Sequence, residues 1–572
     1  MNSIKFKWCI MELWHDPESL EWYSKKKTLV NVEDMKNTGK NSNLTKFVHY
    51  IKSLGFNGLS FFGNHDNYPD AIKSFSKYLK ENGIDLFIIR YWDEFEKGWA
   101  GPRSEPAKKG YSKKYCPFSP ELRQYWKQRI EKDYKMIGNL AGYKINGTEY
   151  YANMGAPWMC DCDICGKLTK KERTIEAINF ISEILKPYNG TLFWEACQDD
   201  PDGMRLETEL FGDMTDLIPE NANIIIKDTY WDYHPDWPRH SAFYTIKKDK
   251  NGSSPYLTSI QLAGEYRGHT FFPYSMVYKW SSVFKDMQST GQKGPWVMAM
   301  ANPETIDHTL NMVNWYSISR YIENPSEDPD LIMKDWAEIS FSRQASGPII
   351  KIIEKITAAN RNVLYHRGLW TQCHSEFFDL PYLESHLCGP YRCTDAIDGY
   401  LGLELPLDMY SSQKQEFIRN ESSLKCAFGR VKITEEMAQE AVKEKERAVS
   451  LIDECIEILK SIKDILDKDI FLNLMDGLEK NRNDALLWKL AIELYLDLKL
   501  GRLTEKKIDK ALNMARGLEG ALMKEPLRDF KSEQDSSQNV DTASFLTFAN
   551  ELRQELQSPW LKEYLETNKP GL

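Results

Sequence analysis

The sequence predicts a (β/α)8 barrel followed by an all-helical C-terminal domain. Three observations carry this. Eight short apolar runs, separated by amphipathic helical patterns, fill about the first 300 residues. Most of these runs are nearly continuous, as strands buried on both faces should be. Beyond about residue 325 the strand pattern stops and long helical stripes take over. The expected domains are a barrel at 1–322 and a helical domain at 323–572. A doubly wound open sheet is the alternative, weakened because no Gly-rich phosphate fingerprint follows the first strand.

The strand candidates are KFKWCIMEL (5–13), GLSFFG (58–63), DLFIIRYW (85–92), GYKINGTE (142–149), TLFWEAC (191–197), NIIIKDT (223–229), SIQLAGE (259–265) and WVMAMAN (296–302). Between them, 119–137 places Leu122, Trp126, Ile130, Tyr134 and Ile137 on one helical stripe, and 169–186 repeats the pattern until Pro187 stops it. NPSEDPD (324–330) is a linker-like break. Helical patterns follow at 346–363, 434–464, 482–500, 504–524 and 541–565, and KSEQDSSQNVD (531–541) has the composition of a mobile loop. The long helical faces suit intrachain packing or a homodimer seam.

Composition narrows the function. With 42% hydrophobic and 28% charged residues the chain is an ordinary globular protein. A net charge of −10 without a basic run argues against nucleic-acid or anionic-membrane partners. No signal peptide and no membrane-spanning run is read, and eleven cysteines at irregular spacing do not make a disulfide framework. A cytoplasmic protein is expected. Aromatic residues reach 12%, including 17 Trp. Large cores account for most of them, but exposed indoles also stack on sugar rings.

Barrel chemistry sits at the C-terminal ends of strands. There the sequence places Glu149 after strand four, Glu195 in strand five, Asp228 and Asp232 after strand six, and Glu265 after strand seven. Singly, each could be a carboxylate paired with a loop cation. Together they suit general acid–base chemistry, and glycoside hydrolysis in particular needs one carboxylic acid and one carboxylate. Trp14, Asn64, Trp92, Trp194, Tyr230, Trp231 and Trp296 are the candidate sugar-binding residues. His15 and His65 at strand ends could touch hydroxyls, although a partly exposed structural histidine is the commoner outcome.

Several stretches carry a resemblance in the same order along the chain. KDTYWDYHPDWP (227–238) resembles the KNGPIDFQPREP motif of glycoside hydrolase family 67, the α-glucuronidases. AGYKINGTEYYANMGAP (141–157) is similar to that family's GGFLVKANSEGQPGP, and SIQLAGEYRGHTFFPYSMVYKW (259–280) to its ITQEYLGQ segment. VNWYSISRYIENPSEDPDLIMKDWAEISFS (313–342) resembles ANWYAFGRLAWDP and the helix after it. ELWHDPESLE (12–21) and GFNGLSFFGNHDN (55–67) match the opening of the barrel. The resemblance covers roughly residues 8–375 and lacks the family's N-terminal β-domain. It implies an inverting hydrolase with Glu149 as general acid and Asp232 and Glu265 as base candidates.

The departures bear on substrate. Lys227 keeps one of the basic residues that grip a uronate. The Lys expected four residues before the acid is Ile145 here, and the Arg expected in strand five is Glu195. Like charges a few Å apart repel by roughly 3–4 kcal/mol at an effective dielectric near 20. A uronate would be rejected unless Arg90 or Arg267 had moved in. The resulting expectation is an exo-α-glycosidase of polysaccharide degradation, acting on short oligosaccharides with altered sugar specificity. A true α-glucuronidase with relocated cations and a glycan-binding pseudoenzyme are the alternatives. Retention of all three carboxylates counts against the last.

CDCDIC places Cys160, Cys162 and Cys165 within six residues. A Cys-x-x-Cys knuckle can hold a structural zinc if a fourth ligand arrives, with Cys197 and Cys9 as candidates. Free thiols packed as small hydrophobes are the other reading. No cofactor is expected in catalysis.

Overall fold

The computed structural model describes residues 6–13, 32–40, 42–61, 65–92, 116–147, 156–157, 160, 162–196, 211, 214–229, 239, 241–263, 273–299, 310–366, 369–370 and 434–522, with a few single positions and short stretches from 545 to 557. Eight parallel strands close into a barrel in chain order. They are β1 (Ile10–Leu13), β2 (Gly58–Phe61), β3 (Asp85–Tyr91), β4 (Leu140–Asn146), β5 (Thr191–Ala196), β6 (Ala222–Lys227), β7 (Tyr256–Ala263) and β8 (Pro295–Ala299). All eight fall where the apolar runs predicted them. Most of the residues by which the runs extend past the C-terminal ends of these strands lie outside the described residues.

Helices are set by local chemistry. α1 (Val32–Lys36), α2 (Asn43–Ser53) and α3 (Pro69–Glu81) come first. α4 (Pro120–Ile137) starts where the Ser119 side chain accepts from Leu122 N–H, with Pro120 in the first turn, and ends at Gly138 with φ 82°. α5 (Lys170–Leu185) opens on a reciprocal capping box between Thr169 and Glu172. α6 (Val277–Ser289) and α7 (Met312–Glu323) complete this half of the chain. The NPSEDPD stretch is an ordered turn and not a loose linker. Arg320 pairs with Glu327, and Glu327 N–H donates to Asn324 O at 3.0 Å.

Strand register determines what faces inward. Ile89 on β3 pairs with Lys144, and Lys144 with Phe193. Phe87 and Phe193 meet edge-to-face at 5.0 Å, each lies 5.7 Å from Trp8, and Phe193 is 5.0 Å from Trp296. These rings form an aromatic floor inside the barrel. Alternate residues of the same strands point to the helix layer.

The chain divides into two compact units, with Asp330–Leu572 in the second. That unit contains α9 (Ser346–Leu364), α10 (Glu435–Ser461), α11 (Lys468–Lys499) and α12 (Glu505–Leu522). α8 (Pro329–Ser340) straddles the division. α10 packs on both α9 and α11, burying Ile349, Ile353, Ala448, Ile452, Leu459 and Trp488. Of the expected helix at 541–565 only short stretches are described. The expected loop at 531–541 lies outside the described residues.

Candidate active site

A mixed-charge layer stands on the aromatic floor, toward the C-terminal ends of the strands. Lys144 Nζ on β4 lies 2.7 Å from Glu12 Oε2 on β1 and 2.8 Å from Glu195 Oε2 on β5. The Trp296 indole N–H donates to the same Glu12 oxygen, and Lys144 Nζ sits 5.6 Å from the centre of the Trp296 ring. Only the barrel interior lets residues of β1, β4, β5 and β8 converge. All four side chains are buried. Burial works against the Lys144 ammonium, but the charges and hydrogen bonds of Glu12 and Glu195 outweigh it and hold its pKa above the ordinary lysine value. Burial pushes the Glu12 carboxyl up and the Glu195 charge adds to this, against the pull of Lys144 and the Trp296 hydrogen bond.

Register continues the polar layer. Ser60 pairs with Glu12 across β1–β2, and Lys227 with Ser259 across β6–β7. Gln261 shares the inward parity of Ser259. Among the described residues, Glu12 Oε1, Ser60 Oγ and Gln261 Oε1 have no hydrogen-bond partner. Buried polar atoms in that condition cost roughly 1–3 kcal/mol each. A ligand rich in hydroxyl groups supplies both donors and acceptors.

Several sequence expectations are corrected here. Arg90, on β3, points to the helix layer. Its Nη2 lies 3.1 Å from Asp133 Oδ2 on α4, beside Tyr143 and Arg129, so it is no uronate-binding cation of the mouth. We expect Arg90→Ala to lower unfolding stability by about 1–3 kcal/mol in urea titrations, the cost of a broken buried hydrogen bond. The relative rates on a uronide and a neutral glycoside should not move, and a selective loss of the uronide would reverse this placement. Trp92 and Trp194 are buried to the last atom, 5.6 Å apart between barrel and helices, and Trp92 stacks on Trp126. Neither offers a face to a sugar. Trp296 is equally buried and orients Glu12. Asp228 pairs with Lys279 of α6 at 3.0 Å. His65 is fully buried against the Tyr68 hydroxyl, and burial and the nearby Arg90 and Arg129 charges hold its pKa well below the ordinary value.

Glu195 and Lys227 do belong to the inward layer. The partner of Glu195 is Lys144, one residue from Ile145, where a family lysine was sought. Lys144 is thus a cation inside the barrel, one residue before Ile145. Glu12 and Lys144 were missed because each sits within an apolar run. Their signal was a charge inside an otherwise apolar run. Glu149, Asp232, Glu265, Trp14, Asn64, Arg267, Tyr230, Trp231, His15 and Cys197 lie outside the described residues. In the chain, Glu149, Asp232 and Glu265 follow soon after the ends of β4, β6 and β7. Gly147 begins the first of these connections. A Cβ there would lie 2.0 Å from the Trp194 indole, so only glycine lets the chain leave β4 at that point.

The cysteine triplet gains a fourth member that the sequence reading did not pair with it. Cys116, just before α4, brings its sulfur to those of Cys160, Cys162 and Cys165, all four within 4.8 Å of one another. Cys9, one of the two expected candidates, lies instead on the outer side of the barrel wall beside β1, its N–H bonded to Asn57 Oδ1, and the other, Cys197, lies outside the described residues. None of the six described cysteines is in a disulfide.

A closed parallel barrel with a charged, partly unsatisfied layer at its C-terminal end is the architecture of many barrel enzymes. Residues 100–315 match the glycosyl hydrolase family 67 middle domain. Among curated proteins, the chain is similar to Alpha-glucuronidase A of Aspergillus tubingensis, 21% identical over 270 residues, which is 42% of this chain and 30% of that protein. A probable alpha-glucuronidase A of Aspergillus niger is also 21% identical, over 259 residues, 40% of this chain and 29% of the relative. The chain thus matches less than a third of the length of these relatives. The family match and both relatives point to a glycosidase. Solved structures that align with the chain include a GH138 enzyme targeting pectin rhamnogalacturonan II, at TM-score 0.49, 11% identity and coverage of 90% of this chain and 61% of that one. A GH115 4-O-methyl-alpha-glucuronidase with specificity for decorated arabinogalactans aligns at TM-score 0.45, 13% identity, and 95% and 62% coverage.

Proposed function

We propose that this protein is an inverting exo-α-glycosidase acting on short oligosaccharides, with Glu149 as general acid and Asp232 or Glu265 as the base that activates water. The observation that carries the reading is the Glu12–Lys144–Glu195 layer at the C-terminal end of the barrel, with acceptor atoms still unsatisfied among the described residues. A buried ion triad is a weak stabilising device, since its desolvation offsets most of its attraction. As a pre-set polar surface for sugar hydroxyls it makes physical sense. In chain order Glu149, Asp232 and Glu265 come two to five residues after the last residues of β4, β6 and β7. In an inverting enzyme the acid and base carboxyls stand roughly 6.5–9.5 Å apart, leaving room for water.

The sugar we propose is neutral or amino-substituted. Lys144 is already paired with Glu12 and Glu195, so the triad offers no surplus cation to a uronate. A glucuronide is the second reading, favoured by Lys227 on the inward face of β6. Matched chromogenic α-glucosides, α-galactosides and α-glucuronides decide between them, with the first-formed anomer followed by NMR. The expected result is faster turnover of a neutral sugar and a β-anomer product. Preference for the uronide would select the second reading. A retained anomer, or no hydrolysis of any substrate, would overturn the proposal.

A further inference from the structure

We infer that Cys116, Cys160, Cys162 and Cys165 hold one structural zinc ion that ties the β3–α4 connection to the β4–α5 connection. The Cys116 sulfur is 3.6 Å from that of Cys165 and 3.8 Å from that of Cys162. A disulfide needs about 2.05 Å. Four sulfurs arranged tetrahedrally around zinc at about 2.3 Å are separated from each other by about 3.8 Å. The observed spacing is therefore that of ligands around a shared ion and not of bonded pairs.

The local backbone serves the same geometry. Cys165 N–H points to Cys162 Sγ at 3.5 Å, and Gly166 N–H donates to Cys162 O at 2.7 Å. This tight knuckle turns both thiols to one side. Four thiolates around Zn²⁺ leave a net charge of about −2. Arg173 donates to Cys160 O beside it, while Arg123, whose Nε donates to Pro117 O at 2.7 Å, is already paired with Glu176. Phe118 packs against the cluster. Binding would release the thiol protons to solvent. Four protein ligands leave no open position, so the ion is structural and performs no hydrolysis. Its effect is mechanical. Glu149 lies in the chain between the end of β4 and Cys160, and the ion anchors the far end of that segment.

The test uses the full chain, purified under reductant, and needs no substrate. Elemental analysis after gel filtration should find about one zinc per chain. Cys116→Ser should lose it to a chelator, whereas Cys9→Ser should keep it. Replacement by Co²⁺ should give the visible bands of a tetrahedral thiolate complex. Should Cys116→Ser not fold, thiol counting on the unmodified chain serves instead: four thiols should be protected from a thiol reagent until chelator is added. Metal well below stoichiometry after zinc reconstitution, iron in place of zinc, full zinc retention in Cys116→Ser, or thiol protection indifferent to chelator would each overturn the inference.

Discussion

Glu149→Gln and Asp232→Asn are each expected to slow glycoside hydrolysis at least about a hundredfold, the lower end of what a positioned acid or base contributes. A glutamine is nearly the shape of the acid but cannot give a proton to the leaving oxygen. An asparagine cannot take one from water. Glu265→Gln should be severely impaired if Glu265 shares the base role. The measurement is kcat/KM on the best substrate of the panel, alongside an unfolding curve showing that each variant is folded. A substrate with an activated leaving group sharpens it, since departure then needs less protonation. Such a substrate should recover much of its rate with Glu149→Gln and little with Asp232→Asn. Near-normal rates in either variant on an unactivated substrate would reject the assignment.

Lys144→Met should destabilise the barrel strongly. It removes the cation between two carboxylates, Glu12 and Glu195, that are 0% and 3% exposed. Breaking a buried pair by deleting one partner costs about 3–5 kcal/mol, because the remaining charge is left uncompensated. Denaturant unfolding measures the loss. Adding Glu12→Gln and Glu195→Gln to Lys144→Met should restore part of it, since no ion is then left unpaired. A loss below about 1 kcal/mol in the single variant would show that water reaches the layer and that the triad is not sequestered.

How much of this could be read from the sequence follows from one property of buried strands. Eight apolar runs showed where the strands are, because a strand covered on both faces excludes polar residues along its length. The same feature hides parity. Without hydrophobic–polar alternation nothing in the run says which residues face the axis, and a slip of one residue reverses every side chain. Arg90 and Lys144 show the consequence. Both are basic residues near strand ends, but one pairs within the helix layer and the other lies within the barrel. The reading that compared position 145 missed the neighbouring cation for the same reason. Trp92 and Trp194 could not be told from sugar platforms, because an indole reads alike in a core and in a cleft. The thiol triplet was evident from spacing within one loop. Its fourth member was not, because Cys116 precedes a different helix and meets the others only through the adjacency of β3 and β4.

The Glu12–Lys144–Glu195 layer also has a bearing on folding kinetics. Its bond from Lys144 to Glu12 joins residues 132 apart in the chain, and the Trp296 bond to Glu12 joins residues 284 apart. Loops of that length make such contacts entropically expensive to form early. The first strand must meet the eighth before Glu12 can find the Trp296 indole. Interactions completed that late leave the folding rate nearly untouched and act on the barrier to escape. The triad is then a late-forming latch on the closed ring, and deleting one of its partners should speed unfolding more than it slows folding.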